Sequence, residues 1–527
     1  MFSISNSQQA AEAKYAIERA MLGCAEWQLF AGEIPTASLT NNNCEFSVEW
    51  GKLIFAWWDE DHSQNWRVTA YETDETELRL QVTRGLGNEL GLLTLRNHAR
   101  WREKVEFENL ELAERRQLYR QTLAEMLATH FEGTSIQRLT TNSRSIPGRY
   151  ARIILKLRGE TILAIGASGA ESQTEIDGLI ASGLVWLSGF NKQCEFKRQP
   201  QQSAQRLLFC LPAGRAQTAI ERLTLLDATH LGARLECLEI DERHKELTLV
   251  QLATQNELLN THPRELDWPE IAKTDNYWRE RILRLAPENI ELRQIAGKEL
   301  YSINGLEFAR ASFGEKPRIV FGVAGLEETA VQTLTEATFG WLANLVQEIA
   351  EHRSPNSANR RHPFYRLREE AWLESLLRQN ISALNTGFDD RFVYSQIPAW
   401  RSDERSVIDL LTVNHQGRLV VIEVKASEDA QLPLQGMDYW LRVEQARTRG
   451  EFDRRGLFPG IQLADQPPLL YLVAPRLRFH RTFAIVARCL SPQIEAYQVG
   501  VNANWRSGVR VRTCERVNFT KKNNLTE

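Results

Sequence analysis

The residues of this 527-residue chain whose types and spacing can do chemistry gather between positions 366 and 440. Two apolar runs, Ser406-Val407-Ile408-Asp409-Leu410-Leu411-Thr412-Val413 and Arg418-Leu419-Val420-Val421-Ile422-Glu423-Val424-Lys425-Ala426, flank Asn414-His415-Gln416-Gly417 and read as a β-hairpin. A three-residue loop, His415-Gln416-Gly417 with glycine in the left-handed position, puts Asn414 opposite Arg418. The same register puts Asp409 opposite Glu423 on one face of the sheet. Alternation adds Lys425 to that face, whose remaining members are Val407, Leu411, Val413, Leu419 and Val421. Two carboxylates and an ammonium on an otherwise apolar face are costly unless paired or metal-bound, and facing carboxylates repel. A divalent cation removes both problems, and hard oxygen ligands suit Mg²⁺ or Mn²⁺. The ammonium could then orient a water or stabilise charge on a phosphate under attack.

Upstream, residues 366–381 have helical period. Glu370, Leu373, Glu374 and Leu377 share one face, and the leucines must carry at least one of the carboxylates toward the core. Downstream, Pro433-Leu434-Gln435-Gly436-Met437-Asp438-Tyr439-Trp440 begins a second helix.

The order helix-Glu, strand-Asp, hairpin, Glu-x-Lys, helix-Gln resembles the PD-(D/E)XK phosphodiesterase superfamily, the restriction-endonuclease-like fold. It is most similar to the C-terminal nuclease domain of NucS-type endonucleases, and Gln435 with Tyr439 matches the Q-x-x-x-Y pattern of RecB-like nucleases. The resemblance covers residues 360–475. It implies that Asp409 and Glu423 hold the metal with help from the Val424 carbonyl, and that Lys425 positions or activates the attacking water. It also implies that Gln435 orients that water or a scissile-strand phosphate, with Tyr439 one turn on. The helical glutamate of the family motif, a further metal ligand, matches Glu370 best because Leu373 and Leu377 then take the family's apolar positions; Glu374 is the alternative. NucS-type proteins usually follow Glu-x-Lys with a basic residue, where this chain has Ala426-Ser427-Glu428-Asp429.

Composition frames that chemistry. Hydrophobic residues are 43% and charged residues 25%, as in globular proteins. No run approaches the ~20 apolar residues of a membrane span. Residues 1–28 lack the apolar stretch of a signal peptide, which leads us to expect a cytoplasmic protein with no membrane partner. Seven cysteines contain no C-x-x-C, which argues against a zinc ribbon. The net charge is −4, but residues 356–527 hold 25 Lys+Arg against 19 Asp+Glu. That excess suits a polyanionic partner, and the resemblance implies that the partner is nucleic acid, DNA in the first place. Among the histidines no paired metal-binding spacing stands out.

Alternating strand patterns and helical periods predict a multidomain α/β (α+β) protein. Residues 1–105 read as a helix and an antiparallel meander, 106–252 as an α+β domain, and 253–352 as a helix, hairpins and a closing helix. The polar, proline-bounded segment 353–363 reads as a linker with few contacts across it. Residues 364–527 hold the αβββαβ core implied by the resemblance. The element order of 107–240 echoes that core, which would make it a degenerate copy in which Ala164-Ile165-Gly166 stands where Glu-Val-Lys would. Three functions compete. One is a Mg²⁺-dependent deoxyribonuclease; another is a nucleic-acid-binding or assembly protein that keeps the fold without catalysis. The last is a nuclease gated by a protein or small molecule bound to the N-terminal half, which could equally serve to form a homo-oligomer.

Overall fold

The computed structural model describes residues 1–4, 6–21, 27–31, 34–39, 44–49, 51–58, 63–73, 77–84, 89–97, 112–140, 149–242, 244–261, 266, 277–295, 297–312, 318–324, 331–401 and 404–518. It is a mixed α/β chain, and its described residues form four sheets. Two compact units form, Met1–Arg115 and Arg116–Glu527.

The first unit is an antiparallel sheet of eight strands: β1 (Phe2–Ser3), β2 (Trp27–Ala31), β3 (Ile34–Leu39), β4 (Cys44–Glu49), β5 (Lys52–Trp58), β6 (Ser63–Thr73), β7 (Glu77–Arg84) and β8 (Glu89–Asn97). Their order is β3-β2-β8-β7-β6-β5-β4, with β1 beside β6. Helix α1 (Ser7–Met21) buries Ala10, Ala13, Ile17 and Met21 in a core shared with Leu53, Phe55 and Leu80. These four fall at helical spacing on one stripe, so the helix covers one face of the meander.

The second unit holds three sheets. The first comprises β9 (Thr134–Thr140), β10 (Ala151–Leu157), β11 (Glu160–Gly166), β12 (Ala204–Pro212), β13 (Arg234–Asp241) and β14 (Glu246–Val250), with helices α2 (Leu112–His130), α3 (Leu179–Phe196) and α4 (Gln217–Thr224). The second is an antiparallel meander of β15 (Ile290–Ile295), β16 (Lys298–Ile303), β17 (Leu306–Ser312), β18 (Arg318–Phe321) and β19 (Gln332–Thr333), closed by α5 (Phe339–His352). The third comprises β20 (Phe388–Arg401), β21 (Glu404–Asn414), β22 (Leu419–Val424), β23 (Leu469–Pro475), β24 (Glu495–Val501) and β25 (Val511–Arg516), with α6 (Glu369–Gln379), α7 (Leu432–Thr448) and α8 (Phe483–Ala487). The all-buried strands Leu419–Val424 and Leu469–Pro475 are continuous apolar runs broken by Glu423 alone among charged residues. Such runs suit parallel strands covered on both faces.

The first and third sheets share one topology. Each runs antiparallel through its first three strands, parallel across the next two, and antiparallel at the last. The parallel pairs Ile165↔Phe209 and Glu423↔Leu472 are equivalent. Correspondingly, Ala167 N donates to Cys210 O and Lys425 N to Val473 O. A Cβ at Gly183 would fall 2.5 Å from the Phe209 ring, and one at Gly436 2.5 Å from the Leu472 side chain. These matches align Ile165-Gly166-Ala167 with Glu423-Val424-Lys425. They move the expected alignment, which began at Ala164, by one residue. The turns differ as well: β10 and β11 join through Arg158-Gly159, one residue shorter than the loop after Asn414. One residue of slip exchanges the two faces of a strand.

The two similar halves pack together. Residues of α3, α4, α7 and α8 share one core. Leu226, just after α4, forms an antiparallel bridge with Leu490, just after α8. Asp227 N donates to Cys489 O at 2.7 Å, and Ser491 N to Leu225 O at 2.9 Å. The helix packing is reciprocal: α3 packs on α8 and α7 on α4, so equivalent elements of the halves exchange places across the contact. Beside it the buried Arg222 holds Asp438 of α7 at 2.8 Å.

Segment 353–363 is no open spacer. The Arg353 side chain is fully buried, and its guanidinium donates to the carbonyls of Ile303, Asn304, Phe364, Leu367 and Arg368. Five carbonyl acceptors repay the burial of an unpaired cation, and they tie the meander to the lead-in of α6. The second unit continues through this segment without a break.

Candidate active site

The hairpin that carries Asp409 and Glu423 folds in the expected register. Asn414 N donates to Arg418 O at 2.9 Å, and the ladder pairs Val413↔Leu419, Thr412↔Val420, Leu411↔Val421 and Leu410↔Ile422. Gly417 takes φ +80°, and a Cβ there would meet the Gln462 carbonyl oxygen at 2.1 Å, so a side chain is excluded twice. The next pair in register is Asp409 and Glu423, where the Asp409 Oδ2 carboxylate oxygen accepts from Val424 N at 2.9 Å. Leu411, Val413, Leu419 and Val421 lie beyond them in the core with Leu434, Met437 and Trp440 of α7.

Glu423 is 2% exposed. Its Oε1 accepts from Lys425 Nζ at 3.1 Å, while its Oε2 is buried with no hydrogen bond. Burial, then the Asp409 charge, pushes the Glu423 carboxyl well above the usual range. Burial also pushes Asp409 up to about 6, against the opposing pull of Lys425 and the Val424 N–H. For Lys425, burial acts downward but is outweighed by Glu423, Glu370 and Asp409, so its ammonium is held charged.

The two helical glutamates take different places. Glu370 is half exposed, with Oε2 3.8 Å from Lys425 Nζ. Glu374 is buried, and its Oε2 accepts from Gln396 Nε2 at 2.6 Å. Its Oε1 has no hydrogen bond and stands 3.6 Å from Arg293 Nη1. Burial, then Asp409, pushes Glu374 up to about 8. Glu370, Glu374 and Asp409 line a cleft of about 510 Å³ with Gln396, Ala426 and Ser427.

Gln435 and Tyr439 stand one turn apart on α7. Gln435 Oε1 is buried without a hydrogen bond. Burial, then Glu423 and Asp409, raises the Tyr439 phenol. The structure therefore places Asp409 within electrostatic reach of Glu370, Glu374, Glu423, Lys425 and Tyr439.

Two contributors escape sequence reasoning. Gln396 has φ +54° and falls between the ladder pairs Ser395↔Leu410 and Ile397↔Ile408, across from Asp409. That left-handed backbone accompanies its bond to Glu374. Arg293 arrives from β15, about 80 residues upstream in sequence; no local pattern announces it. A second group, Glu348, His352 and His362, places its ligand atoms within 4.8 Å of one another. Its geometry is that of a stacked ring pair, with centroids 3.8 Å apart. His362 Nδ1 accepts from Phe364 N at 3.2 Å, which leaves its proton on Nε2, the nitrogen facing Glu348. Comparison with family models, with curated proteins and with solved structures finds no match to this chain.

Proposed function

We propose that residues 364–527 form a divalent-cation-dependent phosphodiesterase of the PD-(D/E)XK type that hydrolyses DNA. The single observation that carries the reading is the meeting of Asp409, Glu423 and Lys425 at the splayed end of one hairpin, with Glu423 Oε2 buried and without a donor. A carboxylate oxygen in that state calls for a cation. The donor set consists of hard carboxylate oxygens from Asp409, Glu423 and one helical glutamate, which fits Mg²⁺ or Mn²⁺ rather than a softer metal. When bound, such a cation supplies Lewis-acid charge at a phosphate oxygen and lowers the pKa of a coordinated water.

The chain's own groups do the rest. Lys425, held by Glu423 and Glu370, keeps an ammonium at the cleft to orient a water and offset charge building on the phosphate. Gln435, with a buried acceptor oxygen still free of a hydrogen bond, can accept a hydrogen bond from that water and fix its direction. Glu374, kept largely protonated near neutrality by burial, can give a proton to the leaving oxygen. Cleavage of labelled single- and double-stranded DNA and RNA with Mg²⁺, Mn²⁺ or EDTA tests the reading. Cleavage of DNA that EDTA stops is expected; no cleavage of any substrate with either metal would overturn it.

The gated version of this reading has its own support. Glu291 of β15 accepts hydrogen bonds from Ser375, Arg378 and Gln379 of α6. The Asn304-Gly305 turn comes so near α6 that a Cβ at Gly305 would overlap the Ala371 carbonyl. Any ligand that moves the meander would move the helix carrying Glu370 and Glu374.

A further inference from the structure

We infer that on duplex DNA the protein cuts one strand per encounter, because the chain supplies its own partner half and that half is chemically silent. The inference rests on the phosphodiesterase reading above and adds the product it makes.

The alignment of the halves places Arg152 at the position of Asp409, since Arg152 pairs with Ile165 as Asp409 faces Glu423. It places Ile165 at Glu423 and Ala167 at Lys425. The matched glycines Gly183 and Gly436 put Ser182 at Gln435 and Trp186 at Tyr439. No carboxylate and no ammonium remains at these positions. Where the C-terminal half has its carboxylates, the other half carries a buried guanidinium beside the Trp186 ring, 5.9 Å from its centroid. A cation cannot be held beside a fixed positive charge at that depth.

The halves meet through equivalent helices in exchanged positions, α3 of one packing on α8 of the other and α7 on α4, an arrangement that an approximate twofold relates. The two antiparallel strands of a duplex are related in the same way, and paired protein halves match paired half-sites for that reason. A pair with two complete clefts would present one to each strand. This pair presents one complete cleft. The surface that would recruit a second active copy through this contact is already covered, since α3, α4, α7 and α8 are buried against each other within the chain. In the one reaction available, a water oxygen bonds to phosphorus, the P–O bond to the leaving sugar oxygen breaks, and that oxygen takes a proton. The opposite strand keeps its phosphodiester.

The test uses the full chain on supercoiled plasmid with Mg²⁺, with Asp409→Ala as the blank. Open circles should exceed linear molecules by an order of magnitude when half of the supercoiled DNA is consumed, with linear molecules rising only later from independent nicks. Light scattering under the same conditions should give the 60.5 kDa mass of one chain. Linear product appearing from the start would overturn the inference while leaving the phosphodiesterase reading intact, as would a species of twice that mass that makes linear product. Absence of cleavage on plasmid and on every short substrate would instead overturn the phosphodiesterase reading itself.

Discussion

Residues 112–250 and 369–518 build the same succession of helices and strands and diverge where chemistry would sit. In one half the row across the sheet reads Gln396, Asp409, Glu423, Leu472; in the other it includes Arg152, Ile165 and Phe209. What the halves keep in common is steric: Gly183 and Gly436 let a helix touch the central strand, and apolar β-branched runs fill both sheets. What they do not keep is electrostatic. Burial lowers Arg152 to about 10, whereas it raises Asp409, Glu423 and Glu374. The comparison teaches that this architecture is held by packing and tolerates either sign of charge at one point, so the buried carboxylates add a cost that Lys425 offsets in part.

The largest expected effect separates the halves outright. Asp409→Ala or Glu423→Ala should lower cleavage by about a thousandfold or more by removing a metal ligand, without loss of folded stability, because each also relieves carboxylate repulsion. Ile165→Val, at the matching position, should leave cleavage unchanged. Wild-type rates in either carboxylate variant would end the site assignment.

The contact between halves comes next. Arg222→Ala takes from the buried Asp438 carboxylate its bidentate guanidinium partner and should cost about 3–5 kcal/mol in denaturant unfolding. A loss under 1 kcal/mol would mean that water reaches Asp438 and that the halves are loosely joined. Lys425→Ala should lose about a hundredfold in rate yet keep Mg²⁺ binding in calorimetry. If affinity and rate fell together, Lys425 would be holding the carboxylates rather than serving the phosphate.

Smaller effects sharpen the comparison. Gly183→Ala and Gly436→Ala each push a methyl against a packed side chain and should cost about 1–3 kcal/mol. Only Gly436→Ala, between Gln435 and Tyr439, should also slow cleavage. Equal slowing by both would show that the silent half shapes the live cleft. The pH dependence is the mildest. The folded chain holds protons on Asp409, Glu423 and Glu374 more tightly than the unfolded chain does. The stability they contribute is complete below the ordinary carboxylate range and is lost as pH rises through about 6 and then about 8. The cation-free protein should therefore weaken across that window by more than Glu374→Gln does, by roughly 1–2 kcal/mol. Parallel melting curves for the two proteins would remove Glu374 from the buried set.

The amino-acid sequence by itself determined the hairpin chemistry. Loop length and strand alternation are local, so three residues between Asn414 and Arg418 suffice to set Asp409 against Glu423 and put Lys425 on their face. Helical period likewise placed Gln435 and Tyr439 one turn apart and both glutamates on α6. Tertiary structure alone decided between those glutamates. Glu374 is buried because Gln396 and Arg293 reach it from β20 and β15, while Glu370 stays at the rim beside Lys425. It also decided that segment 353–363, polar in composition, is pinned by one guanidinium wrapped in carbonyls. The true alignment of the silent half, one residue from the apparent one, depended on which residue of β11 lies beside Phe209. That parallel register is closed across a helix and some forty residues of chain, and no short-range rule reaches so far, because packing of α3 against the sheet chooses it.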